Sequence, residues 1–162
     1  MPDRPMPDRQ EAAAALSGTL EGGAHRYPLR VYYADTDAGG VVYHGTYLAF
    51  AERARTEFLR LIGWDRVEMI DRAGVMFMVR KAELDYLAPA RLDDLLDIVT
   101  TVERIGGASI GLRQSIRRGA DELAVLSLVV VCVGVEAVRP QRLPEALRRR
   151  LDELMNSGNT RD

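Results

Sequence analysis

Hydrophobic and polar positions change their period along the chain, and each change marks an element. Tyr27 to Ala34 (Tyr-Pro-Leu-Arg-Val-Tyr-Tyr-Ala) is rich in strand formers and predicts a first strand, with Pro28 near its edge. Asp35 to Gly40 holds two Asp, a Thr and two adjacent Gly, which break regular structure. From His44 to Ile62 the period lengthens. Tyr47, Phe50, Ala51, Ala54, Phe58, Leu61 and Ile62 recur at three and four, the apolar face of one long helix. Gly63 supplies its stop, and a second, shorter helix is expected from Trp64 to about Arg72, before Gly74. Val75 to Tyr86 reads as a strand whose second half alternates, and Pro89 closes it. Leu95 to Ile105 alternates again, with a turn at Gly106-Gly107. Ile110 to Arg117 and Leu123 to Val135 follow, joined by Gly119 to Glu122, and Pro144 opens a charged amphipathic helix ending near Met155.

Strand, long helix, then four strands is an α+β order: a five-stranded antiparallel sheet wrapped around one helix. Leu123 to Val135 is apolar on both faces, yet the chain has one long helix to lay on a two-faced sheet. The uncovered face predicts a homo-oligomer, a dimer or a dimer of dimers giving a homotetramer.

The remaining segments bound this domain. Residues 1–24 are a Pro-, Asp-, Arg-, Gly- and Ala-rich tail with a short duplication, Met1-Pro-Asp-Arg-Pro5 then Met6-Pro-Asp-Arg9, ending at Gly22-Gly23. Too little apolar surface is available there to offset ordering entropy, so the tail is expected to be mobile, with Met6 an alternative start. Residues 25–156 are then the folded domain and 157–162 a C-terminal tail.

Composition narrows the partners. The 162 residues fit one domain, and 22 Lys and Arg against 24 Asp and Glu leave a net charge of −2. That balance lacks the concentrated basic face of a nucleic-acid binder or an anionic-membrane binder. No secretory signal and no apolar run of membrane-spanning length is visible, so no integral membrane segment is expected and the cytoplasm is the predicted location. The one cysteine, Cys132, sits in an apolar strand and is expected to be core. Two histidines, His25 and His44, and one cysteine cannot supply a Cys/His metal set, and no Walker loop or dinucleotide fingerprint occurs. No metal or cofactor is expected. His25, beside the tail, reads as incidental.

The chemistry-bearing stretch is Tyr33-Ala-Asp-Thr-Asp-Ala-Gly-Gly-Val-Val-Tyr-His44, running into Gly45-Thr-Tyr-Leu48. A strand ends in two carboxylates and a Gly-rich turn, then a helix starts. A helix start presents unpaired N–H groups, so a carboxylate just before it makes a base or nucleophile beside an oxyanion hole. An EF-hand register from Asp35 fails, because Thr46 stands where a bidentate Glu is needed. An Asp-x-Asp phosphatase fits poorly with Ala38-Gly39 behind the pair, and no Gly-x-Ser-x-Gly elbow supports a serine hydrolase. On the residues alone, Asp35 and Asp37 serve equally well as turn and cap residues.

Asp35-Thr-Asp-Ala-Gly-Gly-Val-Val-Tyr-His44, with Tyr47-Leu48 and Glu52-Arg-Ala-Arg55, closely resembles the signature of the Tol–Pal-associated acyl-CoA thioesterases. These belong to the 4-hydroxybenzoyl-CoA thioesterase group of hotdog-fold proteins. Tyr86-Leu-Ala-Pro-Ala-Arg91 before Asp93-Asp94 is similar to that family's second-to-third strand junction. The resemblance covers about residues 26–138 in element order and leaves the tail outside. It implies hydrolysis of a short-chain acyl-CoA, or an acyl-carrier-protein thioester, with CoA as part of the substrate and no cofactor. It implies Asp37 as the catalytic carboxylate, by attack or through a water, and the His44 backbone N–H as a donor to the thioester oxygen. Val42, Tyr43, Gly45 and Tyr47 are the substrate-binding residues it implies. Asp35 is read as a structural turn residue, and Glu52 with Arg55 as a surface or interface pair. Met76, Phe77 and Met78 are expected in the core, with lining of an acyl pocket as the alternative. The competing functions are a non-catalytic acyl-CoA- or acyl-carrier-protein-binding accessory of the Tol–Pal system, and a hotdog hydratase.

Overall fold

The computed structural model describes residues 9–159; Met6 and nearly all of the duplicated segment lie outside them. Its elements are α1 (Arg9–Ala15), β1 (Thr19–Glu21), β2 (Ala24–Arg30), α2 (Thr46–Leu61), β3 (Val75–Tyr86), β4 (Leu95–Ile105), β5 (Ser109–Arg118), β6 (Asp121–Gly134) and α3 (Glu145–Asn159). All strand pairs are antiparallel, in the order β1-β2-β4-β5-β6-β3. The long helix lies on one face of this sheet, giving the α+β arrangement that the element order predicts and the hotdog fold that the resemblance implies.

The differences from the expected elements have local causes. The sheet has six strands rather than five, because Thr19–Glu21, inside the expected tail, turns at Gly22-Gly23 and pairs with Ala24–Arg26. Both glycines have positive φ (56° and 78°), the conformation such a tight reversal needs. The first long strand covers Ala24–Arg30, earlier than expected, since Tyr33–Asp35 winds into a 3-10 turn. The second helix shrinks to one wide π-type turn at Val67–Arg72.

α2 buries Tyr47, Phe50, Ala51, Ala54 and Phe58, the stripe its spacing predicts. Ala51 and Ala54 are small, which lets the helix approach the sheet closely. Past its end, Gly63 adopts φ 87° and the Trp64 N–H reaches the Leu59 carbonyl at 2.8 Å. One core cluster joins Ala51 and Phe58 to Leu126, Leu128, Leu147 and Leu151, so α3 packs on the same side as α2. The other surrounds Phe50 with Val31, Val42, Leu96, Ile98 and Leu123. Cys132 is fully buried, and that burial raises its thiol pKa. Of the methionine–phenylalanine run, Met76 and Phe77 are half-buried and Met78 is exposed.

Beneath α2 a polar tether replaces apolar contact. Gln114 of β5 is fully buried; its Nε2 donates to the Ala51 carbonyl at 2.9 Å and to Thr100 Oγ1 at 3.0 Å. Its Oε1 accepts from Arg55 Nη1 at 3.0 Å. Glu52 accepts instead from Thr56, so the Glu52–Arg55 pair expected from sequence does not form within the chain. His25 is not incidental. It is fully buried in β2, its Nε2 lies 2.6 Å from the Ser17 carbonyl, and its ring meets Phe58 and Tyr27.

Candidate active site

Two aspartates open the site, and the structure gives them different surroundings. Asp35 Oδ2 accepts the Tyr32 N–H at 2.8 Å, and its carbonyl accepts the Tyr43 N–H at 2.9 Å. It holds the chain where β2 hands over to the loop. Asp37 heads a tight reversal: its N–H donates to the Val41 carbonyl at 2.9 Å and its carbonyl accepts from Gly40 at 3.0 Å. Gly40 has φ 74°, a conformation that costs glycine little. The Asp37 side chain is exposed, and Oδ1 accepts the Gly39 N–H at 2.8 Å. Among the described residues no hydrogen bond engages Oδ2.

Thr36 bridges to Val42, Val41 to Arg91, and the Val42 N–H donates to the Ala90 carbonyl at 2.8 Å. The aspartate turn is thereby stitched to both the entrance of α2 and the segment after β3. Val42 is buried as the anchor of this stitching. Tyr43 is half-exposed, with its ring 4.3 Å from the His44 ring. Gly45 caps α2 without a side-chain bond, and its missing Cβ leaves room for the Tyr43 ring 2.9 Å away. Among the described residues no acceptor is bonded to the N–H of His44 or of Gly45. These are the free donors at a helix entrance, where the dipole is positive.

Val42, His44 and Tyr47 line one pocket of about 260 Å³ with Tyr86, Leu87, Ala88 and Pro89. Asp37 stands in the adjoining turn and does not line it; Tyr43 and Gly45 flank it at the helix start. Two contacts absent from the sequence expectation set its geometry. Tyr86 Oη donates to the His44 carbonyl at 2.8 Å, and the Ala90 N–H donates to Tyr47 Oη at 3.1 Å. The Tyr86-Leu-Ala-Pro-Ala-Arg91 block marks this junction in sequence, but nothing local says that its tyrosine reaches 42 positions back. Nearby, burial raises the Asp94 pKa, but the Arg91 N–H and the Arg118 guanidinium outweigh it and hold the carboxyl below its usual range. No group of three or more His, Cys, Asp or Glu among the described residues is arranged to hold a metal ion.

Residues 39–125 match the thioesterase superfamily. The acyl-CoA thioester hydrolase YbgC of Escherichia coli is 45% identical over 123 residues, 75% of this chain and 91% of that protein. The acyl-CoA thioesterase YbgC of Haemophilus influenzae is 40% identical over 122 residues, 75% of this chain and 90% of its own. The crystal structure of a probable thioesterase from Bartonella henselae superposes with a TM-score of 0.70 at 38% identity, covering 75% of this chain and 99% of that one. A 1,4-dihydroxy-2-naphthoyl-CoA thioesterase from Synechocystis shares the fold at 24% identity with a TM-score of 0.74, covering 81% and 97%. The stitched aspartate turn, the open helix entrance and these relatives converge: the chain belongs to the thioesterase superfamily.

Proposed function

We propose that this protein hydrolyses short-chain acyl-CoA thioesters to free acid and CoA, with Asp37 as the catalytic carboxylate. The observation that carries this reading is the exposed Asp37 carboxylate, tied by backbone bridges to a helix entrance where, among the described residues, the N–H groups of His44 and Gly45 have no acceptor. The Gly39 N–H holds Oδ1, which aims the carboxylate and leaves Oδ2 to attack the thioester carbon or to take a proton from water. The tetrahedral oxyanion then receives the N–H of His44, whose peptide is held on its carbonyl side by the Thr46 N–H, while Tyr86 holds the next peptide, the one that carries the Gly45 N–H. Val42, Tyr43, Gly45 and Tyr47 shape the entrance, and a pocket of about 260 Å³ suits a short acyl chain. No metal or further cofactor enters this chemistry, because carboxylate and N–H donors supply both the base and the oxyanion site. Since CoA thioesters are made and used in the cytoplasm, the activity belongs there.

We also propose that the working form is a homo-oligomer built on β3. Among the described residues this strand pairs only with β6, which leaves one edge of 12 residues with unpaired backbone groups. Its helix-side row includes Val79 and Tyr86, 54% and 51% exposed, which a second copy would cover.

The test is thiol release from a panel of acyl-CoAs by the wild type and by Asp37→Asn. The expected result is a loss of about 10²–10⁴ in kcat for the variant, the range a positioned acid–base group contributes. Equal rates would sink the Asp37 mechanism, and no hydrolysis at any chain length would sink the enzyme reading in favour of binding alone.

A further inference from the structure

One peptide at the entrance of α2 is held by a side chain rather than by the backbone. Among the described residues no backbone donor reaches the His44 carbonyl. The Thr46 N–H goes to the Tyr43 carbonyl at 2.9 Å, and the Leu48 N–H to that of Gly45 at 3.2 Å. The donor that does reach it is the Tyr86 hydroxyl, at 2.8 Å and from 42 positions away.

That phenol is itself braced. Tyr86 ends β3, in register with Ala124 of β6. Its ring meets the Tyr47 ring edge-on at 5.5 Å, and Tyr47 is buried, its hydroxyl accepting the Ala90 N–H. Tyr47 in turn meets Phe50 in the core. The hydroxyl therefore approaches the helix entrance from a wall fixed by both the sheet and the core.

The peptide it holds can turn at little cost. The bond is trans, so the His44 carbonyl and the Gly45 N–H point to opposite sides, and holding one aims the other. Rotating this peptide as a unit changes ψ of His44 and φ of Gly45, now −71°, and glycine accepts positive φ almost freely. A bulkier residue would resist the turn, but a Cβ here would lie 2.9 Å from the Tyr43 ring. The preceding peptide, which carries the His44 N–H, is closed by the backbone bond from Thr46 to Tyr43. One free donor of the entrance is thus set by the helix start itself, and the other depends on Tyr86.

We propose that Tyr86 is a positioning residue for thioester hydrolysis: by holding the His44 carbonyl it aims the Gly45 N–H as a second donor to the oxyanion. The role rests on the catalytic reading of the Asp37 turn. Donors already aligned where charge develops need no reorganisation during the reaction. Released from Tyr86, the peptide would turn its carbonyl towards the oxyanion in part of the population and repel it. The ground-state thioester carries little charge on its oxygen and is affected far less, so the loss falls on kcat rather than on KM.

Tyr86→Phe keeps the ring and removes only the hydroxyl. Its kcat is expected to fall about ten- to a hundredfold, less than the roughly 10²–10³ lost when a donor is deleted outright, with KM within about twofold of the wild type. Titration with two CoA thioethers gives a second readout. S-trifluoroacetonyl-CoA, a ketone that hydrates to a tetrahedral centre, is expected to lose affinity by the same factor as kcat. S-propyl-CoA has no carbonyl; it is expected to bind both proteins equally, which also reports that the variant is folded. An unchanged kcat, a rise in KM with kcat held, or equal losses of affinity for the two thioethers would each overturn the proposal. Asp37→Asn assayed alongside separates the two readings. Hydrolysis that needs Asp37 but runs as fast in Tyr86→Phe as in the wild type sinks this inference alone. Hydrolysis indifferent to Asp37→Asn sinks the catalytic reading on which it rests.

Discussion

His25 shows how one residue can tie a peripheral segment to the core. Its Nε2 meets the Ser17 carbonyl, while Ser17 Oγ donates to Glu57 of α2 at 2.7 Å. Its Nδ1 is buried and has no hydrogen-bond partner among the described residues. Desolvation lowers the pKa of this histidine from 6.5, against the raising effects of Ser17 and Glu57, so the folded form holds it neutral. A histidine whose folded pKa lies below its unfolded value takes up protons preferentially on unfolding, so stability falls as pH drops below about 6.5. The expected outcome is a Tm that declines between pH 7 and pH 5, with a shallower decline in His25→Gln; parallel curves for the two proteins would remove His25 as the cause. The same region constrains Gly18, at φ 79°, where an added Cβ would lie 2.2 Å from the Arg26 carbonyl oxygen. Neither fact is written in the local sequence. His25 follows a Gly-rich run and looks peripheral until β1 folds back on β2.

The elements were the most legible level, because period alone separates helix from strand. The bounds of β4 agree with the alternation from Leu95 to Ile105, and α2 with its apolar stripe. The misses were short or irregular pieces: the three-residue β1, and the π-type turn at Val67–Arg72, where burial of Met69 decides a conformation that propensity leaves open. How α2 is fastened was equally hidden, since Gln114 reads as a polar residue in a strand. Removing it in Gln114→Ala strands Thr100 Oγ1 and Arg55 together and takes from the Ala51 carbonyl its second donor. Each buried group left unsatisfied costs about 1–3 kcal/mol, so chemical denaturation is expected to show a loss within or above that range. A change under about 0.5 kcal/mol, the size of an ordinary surface substitution, would mean that the tether contributes nothing. Phe50→Ala, at the centre of the second core cluster and 1% exposed, sets the scale for an apolar loss at about 3–5 kcal/mol.

At the scale of the whole molecule, the sheet is asymmetric. Its β1 edge is short, whereas the β3 edge is long and follows a bulge at Arg80 that resets the inward row between Val79 and Lys81. The exposed apolar positions on and just after that strand, Met78, Val79, Tyr86 and Leu87, lie along it. The sequence reading placed the uncovered surface on the outward face of the last strand. There Val125, Val129 and Val131 are half-buried and Ser127 is exposed, so the stronger demand for a partner sits at the β3 edge instead. A charged side chain on a free edge opposes strand pairing. Light scattering of Val79→Lys is therefore expected to report a smaller particle than the wild type; equal masses, or a monomeric wild type, would contradict assembly through β3.

By itself the sequence determined the class of fold, the long helix, the succession of the long strands along the chain and the block from Asp35 to His44 as the candidate site. Those follow from periodicity and from residue types that act over a few positions. Only the tertiary structure decided what surrounds the two aspartates. Asp35, partly buried, accepts the Tyr32 N–H on one carboxylate oxygen, and the exposed Asp37 accepts the Gly39 N–H on one of its own. It also decided that Tyr86 bonds the His44 carbonyl, that His25 is core, and that Arg55 bonds to Gln114 rather than to Glu52. Each of these depends on a contact between residues brought together by the sheet order, and strand order is set by packing of the whole chain rather than by any local pattern.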